Sequence, residues 1–241
     1  MRAKNDRGAP AAGDAVRREW LRRTHAEYRS SAITAQVTLW MLQLGAPPQL
    51  IRMGLRIVND ELRHAELSHR VYKAAGGGDV PPVARETLGL RASGASLERD
   101  VARAITHVYC LGETAAVRLF HRLREACTVP VARAALDRVL RDEVRHRDFG
   151  WTALEWLLSL PHGPSLREEI TRELPAMIDS LVRSYGGAEG DGADTQHDVR
   201  LAPAALDWGL MTRARYRQAI ALCVRRDLVP RFARLGIRLE R

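Results

Sequence analysis

Two pentapeptides in this chain carry the same chemistry. Asp60-Glu61-Leu62-Arg63-His64 returns as Asp142-Glu143-Val144-Arg145-His146, so both copies read Asp-Glu-x-Arg-His. In a helix, side chains three residues apart share a face. Each copy therefore aims one carboxylate and one imidazole at the same spot. One Glu-x-x-His from each of two helices is half the ligand set of a dinuclear metal site in a helix bundle; the other half is a lone Glu from each of two further helices. Glu27 and Glu113 supply these, each standing alone on a line of apolar or small residues. The predicted ligands, and the groups that would carry any reaction, are Glu27, Glu61, His64, Glu113, Glu143 and His146. Carboxylates can bridge two cations and balance their charge, while a neutral imidazole on each leaves positions open. Unpaired carboxylates are costly to bury, so four on interior lines argue against a merely structural bundle.

Supporting roles follow from spacing. Asp60 and Asp142 each lie four residues before a ligand His, and are expected to accept a ring N–H from an imidazole of their own or the neighbouring helix. Arg63 and Arg145 are expected to offset buried negative charge. Tyr109, one turn before Glu113, is a redox tyrosine or a supporting hydroxyl, although tyrosines at such places are more often simply packed. Glu19 competes with Glu27 but lies off its line and at the wrong height. His25, His107 and His121 are weaker candidates for a further ligand. Thr24, Ser31, Thr34 and Thr38 either line a pocket or allow close helix packing.

The elements that must position these groups are helices. The first is predicted from about Asp14, a plausible N-cap, to Leu44, with Gly45, Pro47 and Pro48 as stop signals. The second starts near Pro48 and ends at Gly76-Gly77-Gly78, with Gly54 tolerated or allowing close approach of a neighbour. A glycine- and proline-rich crossover follows to about Ser96. The third helix covers about Leu97 to Ala126, and the fourth, opened by Pro130, reaches about Leu160. Glu27 and Glu61 lie at nearly equal distances on either side of the turn at Gly45, and Glu113 and Glu143 at equal distances on either side of Thr128. Antiparallel helices of equal rise then bring all four carboxylates to one height.

Domains are expected as a disordered tail (1–13), a four-helix unit (14–160) and a C-terminal extension (161–241). The extension should hold two helices, about Ser165 to Tyr185 and Pro203 to Ile237, joined by a mobile linker at Gly186 to Gly192.

Composition bounds the rest. The 241 residues are 46% hydrophobic, enough for a sizeable core. No apolar run of about 18 residues exists, so no membrane span is expected; the polar N-terminus lacks a signal-peptide core, and cytoplasmic residence is the expectation. Cys110, Cys127 and Cys223 are scattered without a C-x-x-C, against a disulfide framework or a cysteine metal site. The formal charge of +9 raises a nucleic-acid partner. The positive charge is nearly all arginine, spread over every helix, so compositional bias is the stronger reading.

With these residues in view, the chain resembles the ferritin-like superfamily of carboxylate-bridged di-iron proteins over about residues 14–160. Glu27, Glu61-x-x-His64, Glu113 and Glu143-x-x-His146 carry the likeness. The doubled motif looks like bacterial multicomponent monooxygenases and the ribonucleotide reductase small subunit. The stretch from Glu27 through Gly45-Ala46-Pro47-Pro48 to Asp60-Glu61-Leu62-Arg63-His64-Ala65 looks like a family of bacterial ferritin-like domain proteins without an established reaction. The resemblance implies an all-α, ferritin-like four-helix bundle with a long crossover, and two iron ions (or Mn/Fe, or Mn/Mn) that activate dioxygen to hydroxylate, N-oxygenate or desaturate a small organic substrate. Electrons would come from an external donor, a reductase or ferredoxin, since no flavin or iron–sulfur motif is present. A homodimer is allowed. Ferroxidase, iron-storage or peroxide-detoxifying activity is the alternative, and a tRNA-modifying hydroxylase a second. The superfamily's arylamine N-oxygenases place an extra His one turn before the last Glu, where this chain has Val139.

Overall fold

The computed structural model describes residues 11–186 and 201–239. Most of the expected N-terminal tail and linker, 1–10 and 187–192, lie outside the described residues. Among the described residues every regular element is helical. Helix α1 spans Asp14–Gln43 and α2 spans Pro48–Ala74. Gly45 turns the chain between them at φ +73°, where a residue without Cβ is favoured. The expected cap at Asp14 is not made: Gly13 holds the N-cap position, and Asp14, one residue inside, pairs with Arg17. Pro47 precedes α2 in extended backbone and Pro48 opens it, where a missing N–H costs nothing.

The crossover has one short helical turn, Arg85–Thr87. It is held to α1 by a side chain: Gln36 donates Nε2 to Leu90 O (2.9 Å) and accepts from Leu90 N (2.7 Å). The next run begins at α3, Leu97–Ala104, whose N-cap Ser96 accepts from Arg99 N. It does not continue as an α-helix, as the sequence suggested. Ile105–Glu113 is π-helical, and α-helix resumes as α4, Thr114–Ala126. Helix α5, Pro130–Ser159, completes the second hairpin.

Helix α1 packs along α2, α5 packs along the π stretch and α4, and α2 against α5 joins the two hairpins. One contiguous core runs through Val37, Met41, Ile105, Leu111, Leu136, Phe149 and Leu154. Each hairpin closes tightly at one glycine. A Cβ at Gly54 on α2 would stand 2.4 Å from Thr38 Oγ1 of α1, which explains that residue as a close approach. A Cβ at Gly150 on α5 would stand 2.4 Å from Tyr109 Cβ and 3.0 Å from Tyr109 backbone.

The extension is part of the same packed unit. Helix α6, Gly163–Gly186, carries Pro175 within it. The single helix expected from Pro203 is broken: α7 (Pro203–Asp207) ends at Gly209 with φ +76°, and α8 (Arg213–Cys223) restarts behind an N-cap at Thr212. A second π stretch, Val224–Leu228, leads into α9, Val229–Arg234. The break docks the extension: Trp20 of α1 donates Nε1 to Trp208 O (3.0 Å), Arg23 donates Nη2 to Gly209 O (3.0 Å), and Thr128 and Val129 donate their N–H groups to Asp207 O. No helix among the described residues is long and apolar enough to cross a membrane.

Candidate metal centre

The four long helical runs bring the six predicted ligands to one buried place. They form two overlapping groups, Glu27–Glu61–His64–Glu143 and Glu61–Glu113–Glu143–His146, each with its donor atoms within 4.8 Å of one another. Glu61 and Glu143 belong to both. Each group thus has one imidazole, one lone carboxylate and the same two shared carboxylates, an arrangement suited to two ions bridged by Glu61 and Glu143. His64 Nδ1 lies 3.8 Å from Glu27, 3.8 Å from Glu61 and 3.6 Å from Glu143. His146 Nδ1 lies 3.1 Å from Glu61 and 3.4 Å from Glu143.

Four polar atoms at this place are buried without a hydrogen-bond partner: Glu61 Oε2, His64 Nδ1, Glu143 Oε2 and His146 Nδ1. Orphaned buried polar atoms are costly. These four are the donors of the two shared carboxylates and the two imidazoles, and cations between them would satisfy all four together. The donor set therefore fits a metal pair.

The aspartates orient the imidazoles across the hairpins. His64 of α2 donates Nε2–H to Asp142 of α5 (3.1 Å), and His146 Nε2 faces Asp60 of α2 at 3.5 Å. With Nε2–H committed outward, each imidazole presents Nδ1 to the carboxylates, the atom whose lone pair a metal would take once its proton is lost. Of the two arginines proposed to balance charge, one does so. Arg145 Nη2 reaches both Asp60 (3.0 Å) and Asp142. Arg63 points to solvent and pairs with Glu66, because its helix face lies outside the α2–α5 contact. Arg138, which the sequence reading missed, takes the second place, with Nε on Asp142 and Nη2 3.6 Å from Asp60. Its signal is an Arg one turn before Asp142, yet Arg56 stands in the same relation to Asp60 and reaches it only at 4.0 Å.

Burial and pairing push the acids apart. Burial raises Glu27 to about 7, against the pull of His64 beside it. Burial also raises Glu113 well above the usual carboxylate range, reinforced by the neighbouring charge of Glu143. Burial acts on Glu61 as well, but His146 and His64 beside it outweigh it and hold that carboxyl well below the usual range. Against burial, the same partnerships raise both imidazoles: His64 through Asp142, Glu27 and Glu61, and His146 through Glu143, Asp60 and Glu61. Asp142 is likewise held low, against burial, by His64 and the two arginines. In the metal-free chain protons occupy the place of cations, and a metal would displace them.

The remaining candidates resolve plainly. Tyr109 is fully buried and donates its hydroxyl to Thr34 Oγ1 (2.9 Å); burial raises its phenol strongly. Thr24, Ser31 and Thr38 bond to carbonyls of their own helix, so these hydroxyls serve close packing. His25 contacts Pro81 O and His121 contacts Glu125; neither they nor His107 join the centre. Glu19 pairs with Arg22 and Arg23 away from the ligand groups.

A cavity of about 210 Å³ opens onto the centre between α1 and the α3–α4 run. Glu27, Glu61, Glu113 and Glu143 form its floor, Val108, Leu119, Phe120 and Leu123 line its apolar wall, and Tyr185 of α6 and Tyr216 of α8 roof it. No family model matches this chain, and neither a curated protein nor a solved structure matches it, so the buried Glu/His group rests on its own geometry as a place that could hold metal.

Proposed function

We propose that this chain is a non-haem di-iron oxidoreductase with a ferritin-like four-helix bundle, acting with dioxygen on a small organic substrate. The observation that carries this reading is the pair of ligand groups sharing Glu61 and Glu143, with a cavity opening onto the same carboxylates. Glu27 and His64 would hold one ion and Glu113 and His146 the other. Bound there, two irons would supply the electrons that reduce dioxygen and the oxidising power directed at the substrate.

The chain's own residues do the rest. Asp60 and Asp142 fix the imidazole tautomer, and Arg138 and Arg145 hold those aspartates in place. The apolar wall of the cavity excludes water and seats a substrate against Glu27 and Glu113. In the metal-free chain burial raises Glu27 to about 7, so Glu27 would give up a proton on taking its ion. No redox cofactor motif stands in the sequence, so electrons are assigned to a separate reductase or ferredoxin.

The test is metal analysis of the purified protein, followed by oxygen uptake after chemical reduction. The expected result is about two irons per chain and rapid uptake without mineral formation. Iron accumulating far beyond that, as an oxide, would move the reading to iron storage. A chain that takes up no iron at all would remove it.

A further inference from the structure

The cavity that reaches the four carboxylates has a second chemical feature, a buried guanidinium. Arg23 lines it one helical turn from Glu27. Its side chain is only 4% exposed. The guanidinium stacks over Trp20 at 4.5 Å, gives Nε to Glu19 (2.9 Å) and Nη2 to Gly209 O (3.0 Å), has the Tyr216 hydroxyl beside it, and keeps Nη1 buried without a well-formed hydrogen bond. An arginine held by three neighbours with one donor edge unspent is set to receive an acceptor.

Charge points the same way. Arg22, at the mouth, places Nε and Nη2 on the same Glu19 that serves Arg23. Two guanidiniums share one carboxylate. Burial acts against that carboxylate, yet Arg23 and Arg22 hold it at about 2, so it stays charged and cancels one of the two. The roofing phenols do not cancel the other: burial raises Tyr185 to about 12 and raises Tyr216 too, keeping both neutral. One positive charge is left here, against an apolar wall and above a carboxylate floor.

We infer that the cavity takes an organic acid with an apolar body, its carboxylate on Arg23 with Arg22 at the mouth, and its apolar end along Leu119, Phe120 and Leu123 towards the floor. This orientation neutralises the anionic end on the guanidinium one helical turn from Glu27 and presents a carbon-bearing end to the carboxylates. It names the substrate class for the reaction proposed above and rests on that reading for its consequence, whereas the binding itself does not.

The probe is benzoate, with benzamide as its neutral counterpart. Binding is measured by calorimetry on the full chain, metal-loaded under anaerobic conditions and metal-free, with metal content determined on the same samples. Benzoate is expected to bind roughly tenfold or more tighter than benzamide, as a charge-assisted bond to a buried donor does. Arg23→Gln is expected to erase that preference by weakening benzoate far more than benzamide, and Arg22→Gln to reduce it a few-fold. Because Arg23 also braces Glu19 and Gly209, Ala116→Leu provides a separate check: it fills the cavity from α4 and should abolish benzoate binding in a chain with an unchanged melt. Equal affinity for benzoate and benzamide overturns the inference. So does a benzoate preference that survives both arginine changes, or one that needs metal and ignores Arg23, which would mean the acid ligates the ions. A chain that takes up no metal under loading conditions yet shows Arg23-dependent benzoate binding supports the acid site and removes the di-iron reading instead.

Discussion

On α2, Arg63 of the pentapeptide turns out to Glu66; on α5, Arg145 of the same pentapeptide turns in and bridges Asp60 and Asp142. Arg56 and Arg138, each four residues before their aspartates, repeat the contrast, with Arg138 closing on Asp142 and Arg56 mostly in solvent. The lone carboxylates differ as well. Glu27 comes from an unbroken α-helix, and Glu113 from the last position of a π stretch. The two hairpins thus present matching faces to the centre and unmatched supports behind it. The donors are what two ions would constrain, and they agree. The outer layer needs only enough positive charge to keep two buried aspartates ionised, and one helix supplies it.

The largest expected effect tests the matched face. Glu143→Ala or Glu61→Ala removes a carboxylate common to both ligand groups, and metal content should fall from about two per chain to near zero. Glu27→Ala or Glu113→Ala breaks one group and should leave about one. Equal losses in all four variants would mean the sharing seen in the geometry has no counterpart in binding.

Next come the supports. Asp142→Asn should weaken metal affinity about 10- to 100-fold, the usual scale for removing the partner of a ligand imidazole. Asp60→Asn should do less, because its contact to His146 is 3.5 Å against 3.1 Å for Asp142 to His64. Competition with a chelator ranks the two. Arg145→Ala strips a partner from both buried aspartates and should cost about 2 kcal/mol in denaturant unfolding. Arg63→Ala, at an exposed pair, should stay within about 0.5 kcal/mol.

This contrast also shows what the sequence could and could not carry. The matched face was legible because three-residue spacing and turn-to-ligand distances are properties of the chain alone. The supports were not, because which arginine turns inward depends on how α2 meets α5, and identical pentapeptides hide that. The π stretch escaped for a related reason. A period of 3.6 cannot register a widened turn, which here buries the three consecutive residues Tyr109, Cys110 and Leu111 completely. The break at Gly209 lay in an apolar stretch that reads as helix, and only its contacts to Trp20 and Arg23 give it a purpose. The cavity needed α1, α4, α6 and α8 together, so no local pattern announced it.

The two hairpin glycines test whether the halves also differ in tolerance. At Gly150 a new Cβ meets Tyr109 Cβ and the backbone of Tyr109 and Cys110, which cannot move without shifting the π stretch and Glu113 with it. Gly150→Ala should cost about 2 kcal/mol and also lower metal content. At Gly54 the nearest atoms all belong to the Thr38 side chain, which can rotate at the loss of its bond to Thr34 O. Gly54→Ala regains about 1 kcal/mol of helix propensity, so it should be nearly neutral in thermal melts.

The smallest effect separates inner and outer layers by pH. Burial raises Glu27 from 4.5 to about 7 in the folded chain. The folded metal-free protein holds that proton more tightly than the unfolded chain does. The resulting stability is therefore complete below the ordinary glutamate value and is lost as pH rises through about 7. Asp142 behaves oppositely: His64 and the arginines hold it low against burial, so its contribution is present above the ordinary aspartate value and disappears as pH falls below it. The metal-free melting temperature should fall by a few degrees between about pH 5 and 8, and Glu27→Gln should make that limb shallower without removing it, because Glu113 and both imidazoles are raised as well, while leaving the acid limb intact. Metal affinity should rise over the same neutral interval, because Glu27 must give up its proton to become a ligand. If Glu27→Gln leaves the steepness of the neutral limb unchanged, Glu27 takes no part in it and the fall belongs to Glu113 and the imidazoles alone.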